Sequence, residues 1–299
     1  MKQRTITAIL MIIILVPFFL LGNIFSTVLL SILAYIGTYE IISIHQQKSN
    51  IPNICKYIIP LFSSMIVLII SYFELIDIVY VLLVQLMCLM ILPIFNKKIL
   101  FKDVIIFIFS IIYCGVCFGI VSYLRNINLF KLTSAEISSF SSNLNPDGLL
   151  LICYVLLVTM STDIFAYIFG IKFGKHRLCP TISPKKSIEG AIFGTVFGAI
   201  FGTIFMIICR NYFSSIVAFV EVFKIDNIYL YILISFAISI VLSIAGQLGD
   251  LIASKIKREY DVKDFGKIFP GHGGVLDRFD SAIYGCLVFA IILLMLEVI

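Results

Sequence analysis

The chain has 299 residues, 61% of them hydrophobic and 13% charged, with 27 Phe, no Trp and a formal net charge of +5. Soluble domains carry about 25% charged residues and roughly 45–50% apolar ones, so a mean hydropathy of +1.12 excludes a single soluble core. The positive balance does not point to nucleic acid either, because the cations are spread over several short loops and no stacking platform accompanies them.

Stretches of about 20 apolar residues cross the hydrocarbon layer as helices. Nine are predicted, near 6–22, 24–44, 57–73, 75–95, 103–124, 148–171, 187–209, 228–249 and 281–298. The fold class is therefore all-α, a polytopic integral membrane protein of about nine transmembrane helices. Lys2 and Arg4 precede the first stretch, but no A-x-A-like cleavage site follows and the second stretch begins almost at once, so it reads as a membrane helix and not a signal peptide. Of the 22 Lys and Arg, four (Arg125, Lys131, Arg210, Lys224) fall on one side of these spans and the remaining 18 on the other. By the positive-inside rule the N-terminus is cytoplasmic and the C-terminus outside.

Residues 1–147 read as an N-terminal membrane scaffold of five spans plus an outer loop, with Glu40, Glu74 and Asp77 as scaffold residues. The loop 125–147 ends in Asn145-Pro146-Asp147-Gly148, a turn signal ahead of the sixth span. No internal repeat of the transporter kind is present. Cys114 and Cys117 form a C-x-x-C inside an apolar helix without His or acidic neighbours, which fits buried small hydrophobes. His45, His176 and His272 do not cluster in sequence, so no zinc site is implied.

Residues 148–299 read as a catalytic membrane domain of four spans with cytoplasmic loops 171–190 and 250–281. Asp163 interrupts the sixth span, where a charge is costly unless paired, hydrated or metal-bound; functional use is the first reading and a Ser-paired or protonated structural Asp the other. Tyr167 and Gly170 share its helical face. The next loop carries Lys172, Lys175, His176 and Arg177, then Ser183-Pro184-Lys185-Lys186-Ser187-Ile188-Glu189-Gly190 leading into an apolar run. Free N–H groups at a helix start, beside two lysines and hydroxyls, suit a phosphate. A plain positive-inside loop looks similar.

From 228 to 258 a helix would run roughly 46 Å at about 1.5 Å per residue, longer than a ~30 Å hydrocarbon core. It should emerge into the cytoplasm with Asp250, Ser254, Lys257 and Arg258 on one face. Residues 254–280 then gather six of the 22 Lys and Arg and five of the 17 Asp and Glu. The run Pro270-Gly271-His272-Gly273-Gly274 lets backbone approach a ligand closely. Asp277 and Asp280 lie one turn apart at the start of the ninth span, and with Asp250 across the loop they suit an oxygen-ligated cation such as Mg2+.

Residues 254–280 resemble the signature of the phosphatidate cytidylyltransferase (CDP-diacylglycerol synthase) family at every specified position: Ser254-x-Ile-Lys257-Arg258, Lys263-Asp264-x-Gly266 and Phe269-Pro270-x-His272-Gly273-Gly274-Val275-x-Asp277-Arg278-Phe279-Asp280. The likeness extends through Ser183–Gly190 and the Asp163, Ala166, Tyr167 and Gly170 segment. Phe165 stands where the family has Gly, Ile164 where it has Thr, Ile171 where it has Arg, Ser187 for Thr and Ile188 for Trp. The resemblance implies transfer of the cytidylyl group of CTP to phosphatidate, giving CDP-diacylglycerol and pyrophosphate. It implies Mg2+, with room for a second cation, held by Asp250 and Asp277 first and by Asp280 and Asp163 as further candidates. Lys185, Lys186, Lys257, Arg258, Lys263 and Arg278 would neutralise phosphate, and His272 would position phosphate or the loop. Ser183, Pro184, Ser187, Asp264, Gly273 and Gly274 complete the substrate contacts. The partners are CTP, phosphatidate and the bilayer, with a homodimer one admissible assembly; the location is the inner (cytoplasmic) membrane with the site facing the cytoplasm. The competing classes are a transporter or channel built on Asp163 and a cytidylyltransferase for another lipid phosphate. A CDP-alcohol phosphotransferase is disfavoured because its Asp-Gly-x-x-Ala-Arg motif is absent.

Overall fold

A computed structural model of the chain describes residues 2–73, 75–127, 146–213, 225, 227–271 and 273–296. Helices α1 (Lys2–Leu21), α2 (Asn23–Lys48), α3 (Cys55–Tyr72) and α4 (Leu75–Phe95) are followed by α5 (Phe101–Ser110), a π-helical turn (Ile111–Val116) and α6 (Cys117–Asn126) in one continuous rod. Then come α7 (Pro146–Phe173), α8 (Ile188–Phe213), α9 (Ile228–Glu259) and α10 (Leu276–Met295). Among the described residues eight of these rods are long and apolar enough to cross a membrane, and α1 adds the shorter apolar stretch Ile9–Leu21. The chain is a polytopic helical membrane protein. Among the described residues it departs from all-α in an antiparallel hairpin, β1 (Arg177–Cys179) with β2 (Ser183–Ser187), where the positive loop was expected. Helix α9 continues for 32 residues to Glu259, as its length predicted.

Two compact units form, one from residues 1–123 with 257–279 and one from 124–256 with 280–299. The polar segment 257–279 thus groups with the N-terminal helices and not with the C-terminal spans that flank it in sequence.

In the first unit, Ile42, Ile59, Ile66, Val104 and Phe107 are fully buried at the centre. Hydroxyls cross between helices there: Thr38 with Ser63 at 2.6 Å and Thr27 with Ser122 at 2.9 Å. Lipid offers no hydrophobic drive for helix association, so small residues and interhelical hydrogen bonds take that role.

In the second unit α7 and α8 meet along Gly190, Gly194, Gly198 and Gly202, one glycine per turn. A Cβ at Gly194 would stand 2.7 Å from the Thr162 carbonyl oxygen, so only glycine admits this approach. Beside the seam Phe165 stacks on Phe197 with ring centroids 4.5 Å apart and Phe169 on Phe193 at 4.6 Å. Thr162 with Ser243 and Tyr154 with Ser239, each at 2.7 Å, tie α7 to α9.

Candidate functional site

The second unit holds a cavity of about 710 Å³. Helix α7 supplies Asp163, Tyr167, Gly170 and Ile171 to its wall, the hairpin supplies Arg177, Lys185, Lys186 and Ser187, and α9 supplies Gln247 and Asp250. The i, i+4, i+7 spacing that put Asp163, Tyr167 and Gly170 on one face is what brings them to the same space. The hairpin is held to that wall by local chemistry. Ser187 Oγ accepts the Gly190 N–H at 3.2 Å and so caps α8, the role that Ser favours at such a position. Glu189, in the first turn of α8, accepts the N–H groups of Lys175 and His176 at 3.1–3.2 Å and lies 2.7 Å from His176 Nδ1. Gly174 is packed so tightly that a Cβ would meet Ser187 Oγ at 2.6 Å.

Lys186 Nζ lies 2.5 Å from Asp250 Oδ2, and Ser254 Oγ donates to Asp250 Oδ1 at 3.2 Å. Asp163 lies near enough to Asp250 to feel its charge, and Ser281 Oγ reaches Asp163 Oδ2 at 3.5 Å. Two carboxylates facing one space, with a lysine already drawn to one of them, form a donor set that attracts a hard cation. Asp280 is different: it is 8% exposed, its Oδ1 accepts the Ser281 N–H at 2.8 Å, and it is not on this cavity wall. Ser183 and Pro184 lie on β2 but outside the lining as well. Of the departures from the signature, Phe165 is absorbed by the aromatic stack while Ile171 does line the cavity.

The first unit holds a second cavity, of about 640 Å³, lined by Lys263, Asp264, Gly266, Lys267, Phe269, Pro270, Gly271, Gly273 and Arg278. Three cations against one carboxylate make it an anion site by charge. Its turn is closed by paired backbone bonds between Phe269 and Gly273 at 2.9 and 3.1 Å. Gly271 at φ 78° and Gly273 at φ 91° occupy left-handed backbone that other residues rarely adopt. His272 lies outside the described residues.

Asp277 faces inward in this unit. Its Oδ1 takes Lys257 Nζ at 2.7 Å, and its Oδ2 accepts the N–H groups of Phe265 at 2.8 Å and Gly274 at 2.9 Å. Lys257 also lies over the Phe265 ring, 5.2 Å from its centroid. A carboxylate offers about four lone-pair positions, so three donors leave Asp277 little to give a metal. Arg258 NH1 approaches the Val262 carbonyl at 3.5 Å. Among the described residues no three His, Cys, Asp or Glu side chains come together in a group that could hold a metal ion.

The sequence reading left Glu40 as scaffold and gave His45 and Asp103 no role, yet all three hold the polar segment. Glu40 accepts the N–H groups of Val275 and Leu276. His45 bridges Asp103 at 2.7 Å and the Tyr260 hydroxyl at 3.1 Å, and Lys48 reaches Asp261. Thr7 donates to the Pro270 carbonyl at 3.0 Å. The available signal was the same one that marked Asp163, a carboxylate within an apolar span.

The Cytidylyltransferase family's sequence model matches residues 2–296. A Staphylococcus haemolyticus protein named phosphatidate cytidylyltransferase is 33% identical over 295 residues, 95% of each chain. Namesakes from Staphylococcus saprophyticus and Staphylococcus aureus are 33% and 30% identical, again over 95% of each chain. With carboxylates and lysines on one cavity wall and the likeness running nearly end to end, the chain belongs to the cytidylyltransferase family.

Proposed function

We propose that the chain transfers the cytidylyl group of CTP to phosphatidate, giving CDP-diacylglycerol and pyrophosphate for phospholipid biosynthesis. Family membership and the names of the relatives support the substrates. The observation that carries the chemistry is the cavity where Asp163 and Asp250 share a wall with Arg177, Lys185 and Lys186. A phosphate oxygen of the lipid bonds to the α-phosphorus of CTP, the bond from that phosphorus to the bridging oxygen breaks, and the electron pair leaves with pyrophosphate. The nucleophile is already an anion, so no strong base is required. The obstacle is repulsion between two polyanions, and positioning plus charge neutralisation supply the catalysis. Lys185, Lys186 and Arg177 suit that task in one cavity; Lys263, Lys267 and Arg278 suit it in the other.

Mg2+ is commonly held by one or two carboxylates together with substrate phosphates, and Asp163 with Asp250 match that donor set. When bound it would neutralise charge on the transferring phosphoryl group. Asp277 and Asp280 remain as further candidates from the signature. The cation asymmetry of the loops supports a cytoplasmic membrane location with the chemistry on the cytoplasmic face.

Purified chain in detergent, given Mg2+, cytidine-labelled CTP and phosphatidate, is expected to yield a lipid-soluble label and an equal amount of pyrophosphate. Omitting phosphatidate should abolish both. Absence of the labelled lipid from correctly folded protein would overturn the reading.

A further inference from the structure

Glu40 lies in α2 and is 3% exposed. A buried carboxylate is tolerated only where its oxygens are hydrogen-bonded. Its oxygens are met by backbone 235 residues away in sequence: Oε1 accepts the Val275 N–H at 2.9 Å and Oε2 the Leu276 N–H at 3.1 Å. These are among the first N–H groups of α10, where a negative charge is favoured.

The glycines around it carry the point further. A Cβ at Gly266 or at Gly274 would run into the Glu40 carboxylate. Neither glycine has left-handed backbone, unlike Gly271 and Gly273. Their lack of a side chain is therefore demanded by Glu40 and not by the turn itself. Gly274 then donates its own N–H to Asp277, which holds Lys257. The chain of contacts runs from Glu40 through the backbone at 274–276 to the Asp277–Lys257 pair.

We propose that Glu40 is a positioning residue for the reaction: its carboxylate fixes the 265–277 turn so that Asp277 and Lys257 keep their places. This inference rests on the cytidylyltransferase reading for its kinetic arm alone. Glu40→Gln is nearly isosteric, removes the charge and can accept only one of the two N–H groups cleanly.

In the purified chain, the variant is expected to speed hydrogen exchange of the Phe265, Gly274, Val275 and Leu276 amides at least about tenfold, as losing a charge-assisted bond should, while exchange within α8 stays unchanged. Because Glu40 lies behind the turn, kcat should fall at least about tenfold with KM for CTP changed less than about threefold. Unaltered exchange in the turn would overturn the proposal whether or not the wild-type chain makes CDP-diacylglycerol. Loss of protection in α8 to the same extent would also overturn it, by making Glu40 a residue of the whole fold. Normal kcat in a variant with a loosened turn would remove the positioning role. A wild-type chain without turnover would defeat the functional reading and leave the exchange arm standing.

Discussion

Asp250 and Asp277 are equivalent in the sequence reading, the two foremost metal-ligand candidates, but their surroundings differ in what they can bind. The Asp250 side chain is 29% exposed and has Lys186, itself 28% exposed, on one oxygen. The Asp277 side chain is 4% exposed and already accepts from Lys257 and two backbone donors. A cation arriving with its phosphates can displace a partly exposed lysine more readily than two backbone N–H groups. Asp250→Asn is therefore expected to raise the Mg2+ concentration for half-maximal activity by about tenfold or more. Asp277→Asn should instead lower kcat by about a hundredfold through a misplaced turn and an unpaired Lys257, with the Mg2+ midpoint unmoved. Magnesium titrations of the two variants separate these outcomes; a shifted midpoint in Asp277→Asn alone would reverse the assignment.

At the scale of elements, the α7–α8 seam shows how strongly the sequence pattern constrains packing. Gly194 faces the Thr162 carbonyl, which is backbone and cannot rotate away, so Gly194→Ala should cost about 1–3 kcal/mol by overpacking. Ile192, two residues earlier and 58% exposed, gives the control: Ile192→Leu should leave the thermal midpoint in detergent unchanged while Gly194→Ala lowers it. Equal midpoints would mean the two helices can separate at no cost. Hydropathy made such helices legible because apolar length is a property of each segment alone. The face of α7 carrying Asp163 and Tyr167 was legible for the same reason, since helical period is local. The hairpin Arg177–Ser187 was not: its pairing of Arg177 with Ser187 depends on Glu189 gathering the turn, which composition does not reveal. Glu40 was missed because its partners are backbone N–H groups, which leave no side-chain signature, and they lie 235 residues away. The π-helical turn at Ile111–Val116 has no local signal either; Gly115 sits there against the backbone of Ser63 in another helix.

The whole molecule poses the question of sidedness. Nine crossings would place the two termini on opposite faces, and the 18-to-four division of cations predicts a cytoplasmic N-terminus. The weakest member is α1, whose described apolar stretch covers only Ile9–Leu21. Were α1 to stay on one face, residues from Asn23 onward would keep their sides and only the N-terminus would change. Single cysteines in a chain cleared of its eight native ones can read this. Lys267→Cys, at an exposed position beside the first unit's cavity, should react with an impermeant reagent only from the cytoplasmic face. Glu136→Cys, outside the described residues, should react only from the opposite face. Gln3→Cys should label with Lys267→Cys if α1 crosses and with Glu136→Cys if it does not. Labelling of Lys267→Cys from the outer face would contradict the positive-inside assignment and move the phosphate chemistry away from the compartment that supplies CTP.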